Sequence, residues 1–343
     1  MSLTEIPLAD SAEVGSLGVY QLKRLWSRAM AAHRGRQSGD VTDAFHDRIA
    51  LDALGLGLQQ TQEYLLREAP SFDEFEAWVV KTTGGVEPEQ VARLNAALSG
   101  APMPEATRAR LEEIDAMPPV LSAADLAHWE EQGYVIVHDA VPEESRRGAE
   151  QAIWTHLGAR PDVPDSWYVP NDHGIMVQFF QHPAFTANRR SLRLHKAFAQ
   201  LWGTADLWAS ADRVGFNVPE RPGWMFRGPD MHWDVSLARP IPFGTQGILY
   251  LTDTPPEQGA FTCVPGFNRR IDAWLDSLPP GTDPRTQDLH ALGSKPIAGR
   301  AGDLVIWEHK LPHGSRPNRG VNPRMVQYIN MAPLHFEQRH EWV

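Results

Sequence analysis

Near residue 120 the hydrophobic pattern of the chain changes its period, and no other feature constrains the fold as much. Before that point apolar residues recur at helical spacing. After it they come in short runs separated by glycine and proline. Side chains repeat every 3.6 residues on a helix and every two on a strand, so a segment written for one period does not serve the other. GVYQLKRLWSRAMAA (18–32) puts Val19, Leu22, Leu25, Trp26, Ala29 and Met30 on one stripe. RIALDALGLGLQQTQEYLLREA (48–69) predicts a second helix, loosened by Gly55 and Gly57 and ended by Pro70. Ser71 and Glu74 form a capping box for a third helix, with Phe72, Phe75, Trp78 and Val79 apolar, and EPEQVARLNAALSG (87–100) reads as a fourth. Stripes at this spacing are the core of a helical bundle rather than a groove for a partner. Residues 101–120 hold four prolines around a short charged helix and read as a connector.

From Leu121 the pattern becomes mixed and then mostly β. Ser122 caps a helix that breaks at Gly133 and continues as the strand YVIV. Further strands are predicted at DRVGFNV, MHWDVSL, QGILYLTD, GAFTCVPG, GDLVIWEH and RMVQYINMAPL. Short strands with glycine and proline turns imply a barrel or sandwich. The expectation is a mainly β protein with helices: a helical N-terminal region over 1–110, then a β domain over 111–343.

Composition enters by exclusion. The 343 residues, 42% hydrophobic and 22% charged, suit one large or two ordinary domains with a real core. A net charge of −11 with no basic block or stripe gives no nucleic-acid footprint and no polybasic membrane patch. MSLTEIPLAD lacks the charged start and apolar core of a leader, and no window approaches a membrane span. The single cysteine, Cys263, excludes an internal disulfide and a multi-cysteine zinc cluster, and in AFTCVPG it reads as a buried small hydrophobe. A cytoplasmic location is expected. Neither a phosphate-cradling glycine loop nor G-x-S-x-G is present, so nucleotide and serine-hydrolase chemistries lose their usual signs.

The chemistry lies in MHWDVS (231–236). On a strand His232 and Asp234 share a face and offer an imidazole beside a carboxylate, two-thirds of a metal site. The best third ligand is His313, at the end of the apolar strand GDLVIWEHKLPHG, where Pro312 and Gly314 begin a turn. His309, four residues earlier, is its rival, but VIWEHK continues a strand and Pro312 would disrupt a helix here. Two histidines and one carboxylate leave three positions open on iron(II), enough for a bidentate cosubstrate and O₂. Downstream, PRMVQYINMAPL predicts a strand with Arg324, Val326, Tyr328 and Asn330 on one face, and arginine grips carboxylates through two parallel hydrogen bonds.

Over about residues 121–335 the chain resembles the phytanoyl-CoA dioxygenase family of iron(II)/2-oxoglutarate oxygenases. LSAADLAHWEEQGYVIVHDAVPEE is similar to that family's opening helix and strand, HWD to its H-x-D, and EQGAFTCVPGFNRR to its P-G stretch between the ligands. GDLVIWEHKLPHGSRPN is similar to its distal histidine segment, and NPRMVQYINM to its arginine strand. The resemblance implies a double-stranded β-helix, or jelly-roll, of cupin type, with iron(II) on His232, Asp234 and His313, and O₂ as oxidant. It implies that Arg324 and Ser315 bind the distal carboxylate of 2-oxoglutarate, and it places Tyr250 and Asn217 on strands that contact the cosubstrate. Trp224, Trp233, Arg227 and Arg239 flank the metal stretch as pocket candidates. Because related halogenating enzymes carry a small residue where Asp234 stands, the implied outcome is hydroxylation of an unactivated carbon in a small molecule, with 2-oxoglutarate decarboxylated to succinate. The region before residue 110 departs from the family's core and is left the role of lid, homodimer contact or substrate platform. A non-redox cupin-type isomerase or hydrolase could use the same ligands but would not need Arg324 and Ser315 as a carboxylate clamp, and a non-catalytic binding protein on the same scaffold is a third reading.

Overall fold

The computed structural model describes residues 7–35, 41–337, 339 and 341–343; the first six residues of the MSLTEIPLAD stretch lie outside it. In chain order the helices are α1 (Leu22–His33), α2 (Val41–Leu54), α3 (Leu58–Glu68), α4 (Phe72–Thr83), α5 (Pro88–Ser99) and α6 (Glu105–Ala116). They continue as α7 (Ala123–Gln132), α8 (Glu143–Leu157), α9 (Pro183–Arg189), α10 (Leu192–Trp202) and α11 (Ile271–Ser277). The strands are β1 (Tyr134–Val137), β2 (Met176–Val177), β3 (Trp208–Ala209), β4 (Val214–Asn217), β5 (Thr245–Tyr250) and β6 (Thr262–Cys263). After these come β7 (Lys295–Pro296), β8 (Leu304–Glu308), β9 (His313–Gly314), β10 (Arg324–Tyr328) and β11 (Met331–Ala332). Contacts divide the chain into a helical unit, ending its main segment at Met117 and adding 205–212 and 333–335, and a second unit formed by the rest. Residue 110, where the sequence places the end of the helical region, falls inside α6.

In the helical unit the predicted stripes form the core. Leu22, Leu25 and Met30 of α1 are buried with Ile49, Leu51 and Leu54 of α2, Leu65 of α3, Phe75 and Val79 of α4 and Leu94 of α5. The capping box is present: the Ser71 hydroxyl accepts from the Glu74 N–H, and the Glu74 carboxylate accepts from the Ser71 N–H at 2.8 Å. Two boundaries differ from expectation. The first helix begins only at Leu22, because Gln21 takes a left-handed conformation (φ 66°) and turns its amide onto Asp47. The single helix expected over 48–69 is two, α2 and α3. Gly55 adopts φ 71° and ends α2, and Leu56 turns fully into the core before α3 starts.

The second unit combines helices with antiparallel sheets, one of six strands in the order β1-β8-β5-β10-β4-β2 and one of three in the order β7-β6-β9. Residues facing one another across antiparallel strands share a side, and side chains alternate along each strand. The registers Arg324↔Asn217, Val326↔Tyr250 and Gln246↔Trp307 therefore put all six of those residues on one face of the large sheet. That face packs its apolar members, Tyr250, Val326, Trp307 and Ile248, with Phe261 and Cys263 of the stretch around β6. The opposite face is covered by α9 and α10: Asn188 donates to Gln327 at 2.8 Å, and a Cβ at Gly247 would lie 3.2 Å from the Phe198 ring. Helices thus close one side of the large sheet and leave the other to the site.

Most predicted strands form, with three corrections. MHWDVSL is not a strand, since His232 makes only an isolated bridge with His313 and the residues around Asp234 bend. GAFTCVPG contributes only Thr262 and Cys263. RMVQYINMAPL divides, β10 ending at Tyr328 and β11 starting at Met331, so Asn330 does not continue the Arg324 face. Among the described residues no helix is long and apolar enough to cross a membrane.

Candidate metal centre

His232 and His313 are brought together by backbone. Each donates its N–H to the other's carbonyl, at 2.8 and 2.9 Å, and their ring centroids lie 4.7 Å apart. His313 is buried on β9, fixed by pairing with Cys263. The residue between the first two ligand candidates explains why the H-x-D spacing works without a strand. Trp233 is buried, donates its indole N–H to the Lys310 carbonyl at 3.0 Å and packs against Phe267 and Trp274. With that side chain anchored in the core, its two neighbours are directed away from it. Arg285 holds the same stretch, donating to the carbonyls of both Trp233 and Val235.

One ligand atom from each of His232, Asp234 and His313 lies within 4.8 Å of the others. The Nδ1 atoms of the two imidazoles face carbonyl oxygens, of Asp230 at 2.6 Å and of Leu311 at 3.1 Å. A carbonyl only accepts, so Nδ1 carries the proton and Nε2 is turned toward the carboxylate. His232 Nε2 is 3.2 Å from Asp234 Oδ1, and His313 Nε2 is 3.3 Å from Asp234 Oδ2. Burial opposes both charges here, yet the bonds to the two histidines hold the Asp234 carboxyl well below the usual carboxylate range. For His232 the same burial is outweighed by its bond and charge interaction with Asp234, and its pKa rises. A carboxylate facing two Nε2 atoms is a donor set that gains from a cation between them.

His309 does not join this group. Its Nε2 lies 3.0 Å from the Thr245 carbonyl, and burial brings its pKa down to about 4. Arg324 is fully buried; one guanidinium nitrogen donates to the Ser315 hydroxyl at 3.3 Å, while Nε and Nη1 have no partner. Tyr250 shares that face of the sheet, but its hydroxyl donates to the Ile297 carbonyl at 2.7 Å and accepts from the Phe261 N–H at 2.9 Å. Asn217 faces Arg324 across the strands and donates to the Arg316 carbonyl at 3.0 Å. Trp224 and Arg227 line a pocket with Trp167, Phe216, Asn217 and Phe226, whereas the exposed Arg239 pairs with Asp276 at 2.7 Å.

Sequence reasoning missed Gln246, whose amide donates to Asp234 Oδ2 at 2.6 Å, and it missed Arg285. Gln246 left a faint signal, being a polar residue at even spacing from Tyr250 in the apolar run QGILYL. Arg285 left none.

Among solved structures, EctD of S. alaskensis with bound Fe aligns over 64% of this chain and 80% of its own at 18% identity, with a TM-score of 0.45. EvdO2 of Micromonospora carbonacea in complex with 2-oxoglutarate aligns over 66% and 96% at 15% identity, with a TM-score of 0.44. A Dictyostelium discoideum protein named for phytanoyl-CoA dioxygenase is 26% identical over 257 residues, 60% of this chain and 74% of its own. The family model for phytanoyl-CoA dioxygenase (PhyH) matches residues 117–326, more than half of the chain and a span that includes every candidate residue described above. The chain therefore belongs to the phytanoyl-CoA dioxygenase family, whose members use iron(II), 2-oxoglutarate and O₂.

Proposed function

We propose that the protein is a 2-oxoglutarate-dependent hydroxylase of a small molecule. In this reading the second unit is a jelly-roll in which His232, Asp234 and His313 hold iron(II) and Arg324 with Ser315 holds the cosubstrate. The observation that carries it is the Arg324 guanidinium, fully buried with Nε and Nη1 unpartnered. A buried cation without its hydrogen bonds costs several kcal/mol, and a carboxylate supplies both the opposite charge and the missing acceptors. A site of non-redox chemistry has no use for such a clamp.

When bound, the iron supplies O₂ activation coupled to decarboxylation of 2-oxoglutarate. The chain's own part is positioning and exclusion of water. By accepting from Nδ1, the carbonyls of Asp230 and Leu311 would leave both Nε2 atoms free to hold the metal. Asp234 would be a ligand where related halogenating enzymes carry a small residue, which supports oxygen rather than halogen transfer to the carbon. The buried rings of Phe261 and Trp307, at 6.1 and 5.0 Å from the His313 ring, form a dry wall beside the site.

The test is succinate formation by purified protein with iron(II), 2-oxoglutarate and O₂. The unmodified protein should produce succinate above a protein-free control, His313→Ala should not, and His309→Ala should retain turnover. Production that survives loss of His313 but not of His309 would overturn the ligand assignment. No succinate under any substrate screen would overturn the hydroxylase reading.

A further inference from the structure

Asp234 lies in a bend, and its side chain is 48% exposed. Among the described residues no strand neighbour pairs with it. Besides His232 and His313, the side chain that holds it is Gln246 on β5, which faces Trp307 of β8 across the sheet. The buried Trp307 donates its indole N–H to Gln246 Oε1 at 3.1 Å. An indole nitrogen can only donate, so the amide oxygen must face it and the amide nitrogen must face the other way. That nitrogen lies 2.6 Å from Asp234 Oδ2. The orientation of the amide is thus set by a core tryptophan, and an N–H rather than an oxygen meets the carboxylate.

We infer that Gln246, oriented by Trp307, is a positioning residue for the metal carboxylate. By donating to Oδ2 it fixes the plane of Asp234 and engages one oxygen, so that the carboxylate is presented to a metal through the other. A carboxylate that chelated through both oxygens would take a position that the cosubstrate or O₂ requires. This inference rests on the reading that His232, Asp234 and His313 hold the metal.

The experiment is titration of the full-length, metal-free protein with manganese(II), with free metal read by electron paramagnetic resonance. Three variants are compared with the unmodified chain. Gln246→Glu keeps the size and the acceptor for Trp307 but presents oxygen to Asp234. Gln246→Leu removes the amide, and Trp307→Phe frees it to turn. The unmodified protein should bind one manganese(II) per chain. Both Gln246 variants should bind about tenfold or more weakly, the usual scale for loss of an outer partner of a metal ligand, while their metal-free melting temperature is unchanged. Trp307→Phe should show a smaller loss in the same direction. Cobalt(II) in the Gln246→Leu site should show an altered ligand-field absorption, because the released carboxylate can chelate. Unchanged manganese(II) affinity in both Gln246 variants overturns the inference, as does a loss that merely tracks a fall in metal-free stability. If neither Gln246 variant folds, Trp307→Phe decides, and unchanged affinity there overturns it equally. If the unmodified protein binds no manganese(II), the metal-site reading itself fails and this inference falls with it.

Discussion

Arg324 is a costly residue, because a guanidinium with no exposure has one hydrogen bond among the described residues, to Ser315. Burial without full pairing predicts two opposite effects of Arg324→Leu. The metal-free chain should melt at a higher temperature, since an apolar side chain replaces a poorly compensated charge. The apparent KM for 2-oxoglutarate should rise by at least about thirtyfold, the equivalent of roughly 2 kcal/mol for a lost charge-assisted pair, while manganese(II) affinity is retained. A steady-state titration and a melting curve check both, and an unchanged KM removes Arg324 from the site. At this scale the sequence discloses residues whose type already implies chemistry. His232, Asp234 and His313 are residue types that ligate metals and Arg324 is a type that grips carboxylates, so each is a candidate before any contact is known. Gln246 and Arg285 are ordinary types whose roles exist only through contacts between distant segments, Arg285 reaching carbonyls at 233 and 235. No spacing rule encodes them.

Elements were legible where one period ran long enough to be read. The stripe of α1 and the capping box of α4 are dictated within one segment, and the buried runs of β5, β8 and β10 lie where the apolar stretches predict. MHWDVSL reads as a strand because its alternation mimics period two, whereas Trp233 is buried by its own packing and not by a ladder. The break between α2 and α3 is the other case, and it yields a clean prediction. Gly55 takes φ 71°, and a Cβ there would meet nothing within 4 Å, so only backbone strain opposes a side chain. Gly55→Ala should lower stability by about 1 kcal/mol, the cost of a left-handed L-residue less the gain in chain stiffness. Urea unfolding measures it. A neutral or stabilising result would mean that the helices join when the glycine is removed, as the continuous pattern over 48–69 suggested.

At the scale of the whole molecule, two titratable groups shifted by burial give the units opposite responses to acid. In the second unit burial holds His309 neutral, with its pKa down from 6.5 to about 4. Below pH 6.5 the unfolded chain takes up a proton that the folded one refuses, so stability present above pH 6.5 is lost as pH falls toward 4, by about 3 kcal/mol in all. In the helical unit burial pushes Asp47 up from 3.8 to about 6, although Gln21 and Arg28 offset part of that cost. The sign is reversed there: the folded carboxyl keeps its proton longer, so stability is lower above pH 6 and recovers, again by about 3 kcal/mol, as pH falls toward 3.8. Over the shared window from 6 to 4 the two effects nearly cancel for the chain as a whole while acting on different cores. Stability measured by urea at pH 7.5 and 4.5, without metal, should separate them. His309→Gln keeps a donor for the Thr245 carbonyl and cannot titrate, so it should resist acid better than the unmodified chain by about 2 to 3 kcal/mol. Asp47→Asn should be the more stable protein at pH 7.5 and should lose the recovery in acid, which makes its pH dependence steeper in the opposite sense. Identical pH dependence in all three proteins would show that neither group titrates differently on folding and would remove burial as the source of the molecule's response to acid.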